Sequence, residues 1–372
     1  MTYEITSWFK FDKNRINLGN CKFLTLKDKK SSPIRTIDIM LAPDNNYVQH
    51  CCATMASVLL NCDNTSYIHF HIPDNGLSEY NKDKIQQLKS IRNFDITYYD
   101  ISKFDFSNLP LNRKYITVST YYRLYINEFM PDNIDRLLYL DSDTNVEKDL
   151  KELWEINLDG YLAGVCEDET SIPNLVRTQL KYSDFCFNAG VVLFNLKEIR
   201  KIDFIKECID YYNENWCIIT LQDQDILNGV FDGRCKMLPL CWNVASPYYS
   251  SLEWKLKTNS KERYNAIYNP GIIHFTYIPK PWSKGCEHPL QNEYWKYISY
   301  TPFKNEYKKY KLKNDINKIF SRIFSIKCEK YKTVVYFLGI KISYKTTKQL
   351  MAELYDKLNK QINKKFNELK YR

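Results

Sequence analysis

Residues 135–143 read DRLLYLDSD. Leu137, Leu138, Tyr139 and Leu140 form a short apolar strand that stops at two carboxylates, Asp141 and Asp143, one residue apart. Ligands of open α/β sheets bind beyond the carboxyl ends of the strands. Two carboxylates on a turn at such an end can meet one hard divalent cation, and that cation could neutralise a diphosphate. The tripeptide D-x-D occurs by chance in many chains, where it is a turn with two solvated acids. Its place directly after an apolar strand is what gives it weight here.

Working outward, the flanking segments alternate between strand and helix patterns. Upstream, IDIMLAP from Ile37 is a strand that runs into the turn residues Pro43, Asp44, Asn45 and Asn46. Val48, Cys52, Met55, Val58 and Leu59 then recur at helical spacing. SYIHFHIP and FDITYYDI read as strands on either side of the amphipathic LSEYNKDKIQQLKSI, and a further helix is expected around Thr120–Glu128. Downstream, YLAGVCED and GVVLFNL are strands, a helix is expected from about Leu196 to Trp216, LQDQDILNGVF begins another, and IIHF is a last core strand. This order predicts an α/β fold with a largely parallel sheet.

Composition limits the alternatives. Of 372 residues, 44% are apolar and 26% charged, which is ordinary for a soluble globular protein and excludes wholesale disorder or a multi-spanning membrane protein. The polar opening MTYEITSWFKFDKNR lacks the apolar core of a secretory signal, and no run of 18 apolar residues follows. The 12 cysteines include no C-x-x-C pair, so they are expected to be reduced, mostly as small core residues of a cytoplasmic protein. Residues 303–372 hold 19 Lys and Arg against 6 Asp and Glu, whereas the other 302 residues hold 34 against 38. The basic character therefore belongs to the tail, and suggests an anionic partner surface.

A second chemical feature is His274 in IIHFTYIPKPW, again at a strand end. With Asp141 and Asp143 it would give mixed oxygen and nitrogen ligation, which suits Mn²⁺. Lys280 close behind would reach a phosphate. Alone, each of these residues would have an ordinary structural explanation.

Five ordered segments together make the chain resemble the family-8 retaining glycosyltransferases, the group that includes bacterial lipopolysaccharide galactosyl- and glucosyltransferases and glycogenin. They are IDIMLAPDNNY, STYYRL, RLLYLDSD, FNAGVVLFNL followed by QDQDILN, and HFTYIPKPW, spanning roughly residues 36–283. The resemblance implies a GT-A-like nucleotide-binding domain over 36–302, preceded by an N-terminal extension, 1–35, and followed by a basic region, 303–372. It implies transfer of galactose or glucose from a UDP-sugar to a hydroxyl of a surface glycan such as lipooligosaccharide, with Mn²⁺ (or Mg²⁺) as cofactor. Carried over position by position, it implies uridine contacts at Ala42, Asp44, Asn45, Asn46 and Tyr47. Arg123 and Ser142 would lie near the donor, and Asp141, Asp143 and His274 would hold the metal. Asn188, Asp223 and Asp168 would contact the donor sugar.

Gln224 falls where a nucleophile would be expected, and an amide is a poor one. The resemblance thus implies front-face substitution, with Gln224 stabilising an oxocarbenium-like centre through its carbonyl oxygen, rather than the two-carboxylate arrangement of hydrolases. One departure stands out: Tyr277 replaces a family glycine in the H-F-x-G-x-x-K-P-W pattern, which puts the path of the diphosphate-binding loop in question. A non-catalytic UDP-sugar- or membrane-binding protein and a nucleotide-sugar hydrolase are the alternatives.

The tail reads as a hairpin in KTVVYFLGIKISYK, turning near Leu338–Gly339, followed by an amphipathic helix carrying Leu350, Leu354, Leu358, Ile362, Phe366 and Leu369 on one face. Its lysines and aromatic residues suit an anionic membrane interface at the inner face of the cytoplasmic membrane. Packing on the body or in a dimer is the plainer alternative. No nucleic-acid recognition motif accompanies it.

Overall fold

The computed structural model describes residues 15–18, 35–106, 109, 117–250, 258–329, 332–337, 340–344 and 355–365. The chain divides into two compact units, residues 1–305 and 306–372.

In the first unit the strands in chain order are β1 (Arg35–Met40), β2 (Ser66–Asp74), β3 (Asp95–Asp100), β4 (Arg136–Leu140), β5 (Thr144–Val146), β6 (Ala163–Glu167), β7 (Phe187–Asn195), β8 (Cys235–Met237), β9 (Val244–Ala245) and β10 (Ile272–His274). Seven build the central sheet in the order β3-β2-β1-β4-β7-β6-β8. All its pairs are parallel except those of β7, which runs against both β4 and β6. From β1 the chain winds outward through β2 and β3, then returns to place β4 on the other side of β1. Ile39 is in register with Leu138 and Met40 with Tyr139. The loop after β1 and the Asp-x-Asp turn after β4 therefore leave the sheet side by side, at the topological switch point where α/β sheets open a ligand crevice.

Side chains alternate across the sheet as a period of two requires. Ile37 and Ile39 enter one core with Ile68, Phe70 and Leu138, while Met40, Leu137, Tyr139, Val192 and Phe194 enter the other. In the helix Val48–Asn61 the expected apolar positions are buried, and so is almost every other residue along it. Its polar residues bond to a neighbouring strand. The Thr54 hydroxyl donates to the Thr144 carbonyl at 2.8 Å, the Ser57 hydroxyl accepts from the Val146 N–H at 2.8 Å, and Asn61 donates to the Val146 carbonyl at 2.9 Å. One face of the helix thus satisfies the backbone of β5, the strand that leaves the Asp-x-Asp turn.

IIHF forms a buried strand as expected, but outside the central sheet: β10 lies in a separate sheet, β5-β10-β9. There His274 is in antiparallel register with Thr144, which brings it beside the Asp-x-Asp turn. The helix expected over 196–216 is two, Leu196–Ile199 and Phe204–Asn215, because Asp203 caps a new start by accepting from the Lys206 N–H. The helix expected at 120–128 is a 3₁₀ stretch, Val118–Tyr125, ending in one α turn. The ten cysteines from Cys51 to Cys286 are free thiols, and six of them are buried. Burial pushes thiols such as Cys51 up to about 12, so they are inert at neutral pH.

In the second unit, the helix Lys304–Ile323 runs in from the end of the first. It is followed by an antiparallel meander of β11 (Phe324–Glu329), β12 (Lys332–Phe337) and β13 (Ile340–Tyr344). The expected hairpin is β12–β13, and β11 adds a strand to it. Its turn at 338–339 lies outside the described residues. Of the expected amphipathic helix, residues 355–365 are helical and the rest lies outside the described residues.

Ser57→Ala would leave the buried Val146 N–H without its acceptor. It is expected to lower the unfolding free energy by about 1–3 kcal/mol, read by chemical denaturation.

Candidate functional site

Asp141 and Asp143 leave β4 on a turn closed by the Thr144 N–H and hydroxyl, both donating to the Asp141 carbonyl. His274 Nε2 lies 3.5 Å from Asp141 Oδ2 and 3.2 Å from Asp143 Oδ1. One ligand atom from each of the three residues lies within 4.8 Å of the others, a spacing that admits one cation. The chemistry of the set fits a divalent ion, with two carboxylates offering hard oxygens and one imidazole a nitrogen. The close approach depends on Gly190. A Cβ there would stand 2.0 Å from His274 Cε1 and 2.7 Å from Asp141 Oδ2. Gly190 also accepts the Asp141 N–H at 2.8 Å through its carbonyl.

The other ring nitrogen of His274 starts a chain of hydrogen bonds. His274 Nδ1–H donates to Asn243 Oδ1 at 2.9 Å, and Asn243 Nδ2 donates to Asn188 Oδ1 at 2.9 Å. Asn188 Nδ2 donates to Asp168 Oδ2 at 3.4 Å, and Gln224 Nε2 donates to the same oxygen at 3.2 Å. Every donor in the chain points toward Asp168, so the direction is set. It puts the hydrogen of neutral His274 on Nδ1 and leaves the Nε2 lone pair for a cation. The Ala189 N–H donates to Gln224 Oε1 at 3.1 Å, which fixes the orientation of that amide. Gln222, in the left-handed region at φ 48, turns the chain sharply into the helix Asp223–Val230 that carries Asp223 and Gln224.

Arg123 is buried and joins the carboxylates from below. Its Nη2 donates to Asp141 Oδ1 at 2.8 Å and to the Tyr139 hydroxyl at 2.6 Å, its Nε is 3.2 Å from Asp223 Oδ2, and its Nη1 donates to the Ala189 carbonyl at 2.5 Å. The guanidinium lies 3.8 Å above the Tyr139 ring. Its donors are engaged within the protein, so its placement is that of a scaffold for Asp141 and Asp223.

Lys280 is buried and donates to Asp143 Oδ2 at 2.6 Å and to the carbonyls of Phe275, at 2.5 Å, and Thr276, at 3.0 Å. All three of its N–H groups are engaged, so reaching a phosphate requires one of these bonds to be given up. Ser142 hydrogen-bonds the Cys51 thiol. In the loop after β1, Asp44 Oδ1 accepts from the Asn46 and Tyr47 N–H groups, and Asn45 is tied to Gly76, Ser78 and Asn81. Asn45 therefore stitches the loop in place. The Tyr47 ring packs edge-on to His50 and Trp282. Ala42 is partly buried against the core, and Asn46 is exposed. Tyr277, standing at the family glycine position, hydrogen-bonds the neighbouring acid Glu169 and so pins its loop to the body.

Burial and charge set the titration of the site. Burial raises the carboxyl of Asp143, but Lys280 and His274 outweigh it and hold the group well below the usual range. Burial would lower His274, but Asp143 and Asp141 outweigh it and raise the imidazole to about 9. Burial raises Asp223 to about 6 against the pull of Arg123, and raises Glu169 to about 8 with help from the charge of Asp168.

The structure thus gathers Asp141, Asp143, His274 and Lys280 at one point. It joins Asn188, Asp168 and Gln224 to them through Asn243, a residue absent from the sequence reading because LCWNVAS carries no pattern around it. Gly190, also missed, had a signal, since glycine inside an apolar strand marks a close approach.

The pattern of glycosyl transferase family 8 matches residues 38–286, and the chain belongs to that family. It is a glycosyltransferase with a GT-A-like fold. It is 28% identical over 271 residues to General stress protein A of Bacillus subtilis, covering 71% of this chain and 93% of the relative. To a lipopolysaccharide 1,2-glucosyltransferase of Escherichia coli it is 28% identical over 309 residues, covering 81% of this chain and 86% of that one. The crystal structure of the galactosyltransferase LgtC with donor and acceptor sugar analogues superposes with a TM-score of 0.65 at 29% identity, over 72% of this chain and 96% of that one.

Two outcomes follow from the His274 environment. Removing its Nδ1 partner, in Asn243→Ala, is expected to weaken divalent-cation binding about 10–100-fold, measured by calorimetric titration with Mn²⁺. In the cation-free protein the raised imidazole stabilises the fold fully below about pH 6.5 and ceases to do so as the pH rises through about 9. Cation uptake at pH 7.5 should accordingly release about one proton, read as the dependence of binding enthalpy on buffer ionisation enthalpy. A flat dependence would contradict the raised value.

Proposed function

We propose that the chain transfers galactose or glucose from a UDP-sugar to a hydroxyl of a surface glycan, with retention of configuration. The observation that carries this reading is the convergence of Asp141, Asp143 and His274 with Gln224 at the switch point of the sheet. A divalent cation, Mn²⁺ by the donor set, held by Asp141, Asp143 and His274 would neutralise charge on the departing diphosphate. In this reading the loop 42–47 receives the uridine, and Asp44 and Asn46 lie within it. Lys280 exchanges a bond to Asp143 or to a carbonyl for one to a phosphate oxygen.

Asp168 and the Ala189 N–H hold Gln224 from both ends, so it is placed rather than free to turn. Its carbonyl oxygen keeps a second lone pair for a positively charged sugar carbon, while its amide offers no nucleophile. This favours attack by the acceptor hydroxyl on the face that the diphosphate leaves, with the leaving phosphate oxygen taking the proton. Arg123 keeps Asp141 and Asp223 in position without touching the substrate.

The names of the relatives support a glycan acceptor of the lipopolysaccharide kind. We further propose that residues 36–302 form the catalytic body behind an extension, 1–35, and that the basic region 303–372 attaches it to an anionic membrane surface. No helix among the described residues is long and apolar enough to cross a membrane. Attachment would rest on charge and interfacial side chains instead.

Calorimetry of UDP with and without Mn²⁺ tests the site: binding is expected to need both the cation and Asp143, and to be lost in Asp143→Ala. Gln224→Ala is expected to lower kcat about 10²–10³-fold with little change in donor KM. Cation-dependent binding with no turnover across donor and acceptor panels would favour a non-catalytic protein. Complete sugar release to water, independent of acceptor, would favour a hydrolase. Deleting 303–372 is expected to abolish sedimentation with anionic liposomes while sparing UDP affinity.

A further inference from the structure

A second group of ligating side chains stands on the central sheet, on strands that contribute nothing to the Asp-x-Asp turn. Asp38 lies on β1, and His69 and His71 lie on β2. The parallel register sets Asp38 opposite His69, and a spacing of two along a strand puts His71 on the same face. His71 Nε2 lies 2.9 Å from Asp38 Oδ1, and His69 Nδ1 lies 3.4 Å from the same oxygen. The two imidazoles are tilted neighbours with centroids 4.0 Å apart. Three donor atoms thus face one small volume.

The remaining ring nitrogens are held from the next strand. His69 Nε2 is 2.8 Å from the Thr97 hydroxyl and His71 Nδ1 is 2.7 Å from the Tyr99 hydroxyl, both on β3. Without an ion the Asp38 carboxylate accepts from the His71 Nε2–H; a cation would displace that hydrogen, and the Thr97 and Tyr99 hydroxyls, which accept as readily as they donate, would then hold the other ring nitrogens. This is the outer hydrogen bonding by which proteins fix the tautomer and orientation of metal-bound histidines.

The geometry points to a Zn²⁺ site formed by Asp38, His69 and His71. Ligand bonds of about 2.0–2.2 Å in a tetrahedron separate ligand atoms by about 3.3–3.5 Å. The His69 contact already has that separation, which is long for a hydrogen bond, and the His71 contact needs to open by a few tenths of an ångström. Two imidazoles and one carboxylate select a borderline ion such as zinc, whereas Mg²⁺ and Mn²⁺ favour oxygen-rich sets. His71 is fully buried, while the side chains of His69 and Asp38 are 24% and 15% exposed, which gives the ion a way in and a fourth position for water. The bound ion would clamp β1 to β2 near the start of the chain's sheet.

The test separates this site from the Asp-x-Asp site. Full-length Asp143→Ala protein is titrated with Zn²⁺ against a chromophoric chelator and compared with Asp143→Ala/His69→Ala. The first is expected to bind one Zn²⁺ per chain, and the second to lose at least about 100-fold in affinity. No tight binding by the first, or equal binding by both, overturns the proposal. A second arm avoids dependence on the folding of Asp143→Ala. Wild-type protein saturated with Mn²⁺ is titrated with Co²⁺, and is expected to develop the visible absorption of tetrahedral cobalt. His69→Gln, which can still hydrogen-bond Thr97, is expected to lack it. Absence of the band in wild type, or its persistence in His69→Gln, overturns the proposal.

Discussion

The site hangs on one directed chain of hydrogen bonds, from His274 through Asn243 and Asn188 to Asp168, met there by Gln224. An amide that accepts with its oxygen must donate with its nitrogen. Each residue in the chain therefore passes its orientation to the next, and the carboxylate at the end sets the direction for all of them. The consequence reaches both ends. At one end the imidazole Nδ1 is held on Asn243, which turns Nε2 toward the Asp-x-Asp carboxylates. At the other, Gln224 cannot rotate without losing either Asp168 or the Ala189 N–H. The imidazole beside the Asp-x-Asp turn and the amide of Gln224 are thus parts of one network.

Charge balance closes the same network from the other side. Buried carboxylates persist only when paired. Arg123 serves Asp141 and Asp223, and Lys280 serves Asp143. The arrangement puts two cations and a protonated imidazole among three acids, which holds the site together before any ligand arrives. A divalent cation would therefore enter by exchange with a proton on His274, rather than by filling a bare acidic pocket. Gly190 makes the packing possible, because any side chain at that position would occupy the place of the His274 ring.

Much of this was legible in the chain. The apolar run ending at Asp141 and Asp143 identified a strand end, and the alternation of patterns on either side identified an α/β sheet. Ordered segments extended that reading to His274, Lys280 and Gln224. Asn243 was not legible, since a lone Asn in LCWNVAS has the same local signature whether it caps a turn or fixes a histidine. Asn45 entered with the uridine loop that the resemblance implies, and only the fold shows that its amide also bonds Gly76, Ser78 and Asn81. In the helix Val48–Asn61, Thr54, Ser57 and Asn61 are polar yet bond to a strand, and polarity in a sequence does not distinguish a face in water from a face on a strand edge.

The sequence by itself determined the elements, their order and the residue types at the strand ends, because hydrophobic periodicity and turn chemistry act over a few neighbouring residues. Which of those ends meet was decided only by the tertiary structure. His274 and the Asp-x-Asp turn are more than a hundred residues apart, and they meet because β10 leaves the central sheet to pair with β5. The surroundings of Arg123 and Lys280 were decided at the same level. A guanidinium or ammonium bonds to whichever acceptors surround it after folding, and here those acceptors are the carboxylates and carbonyls of the protein itself.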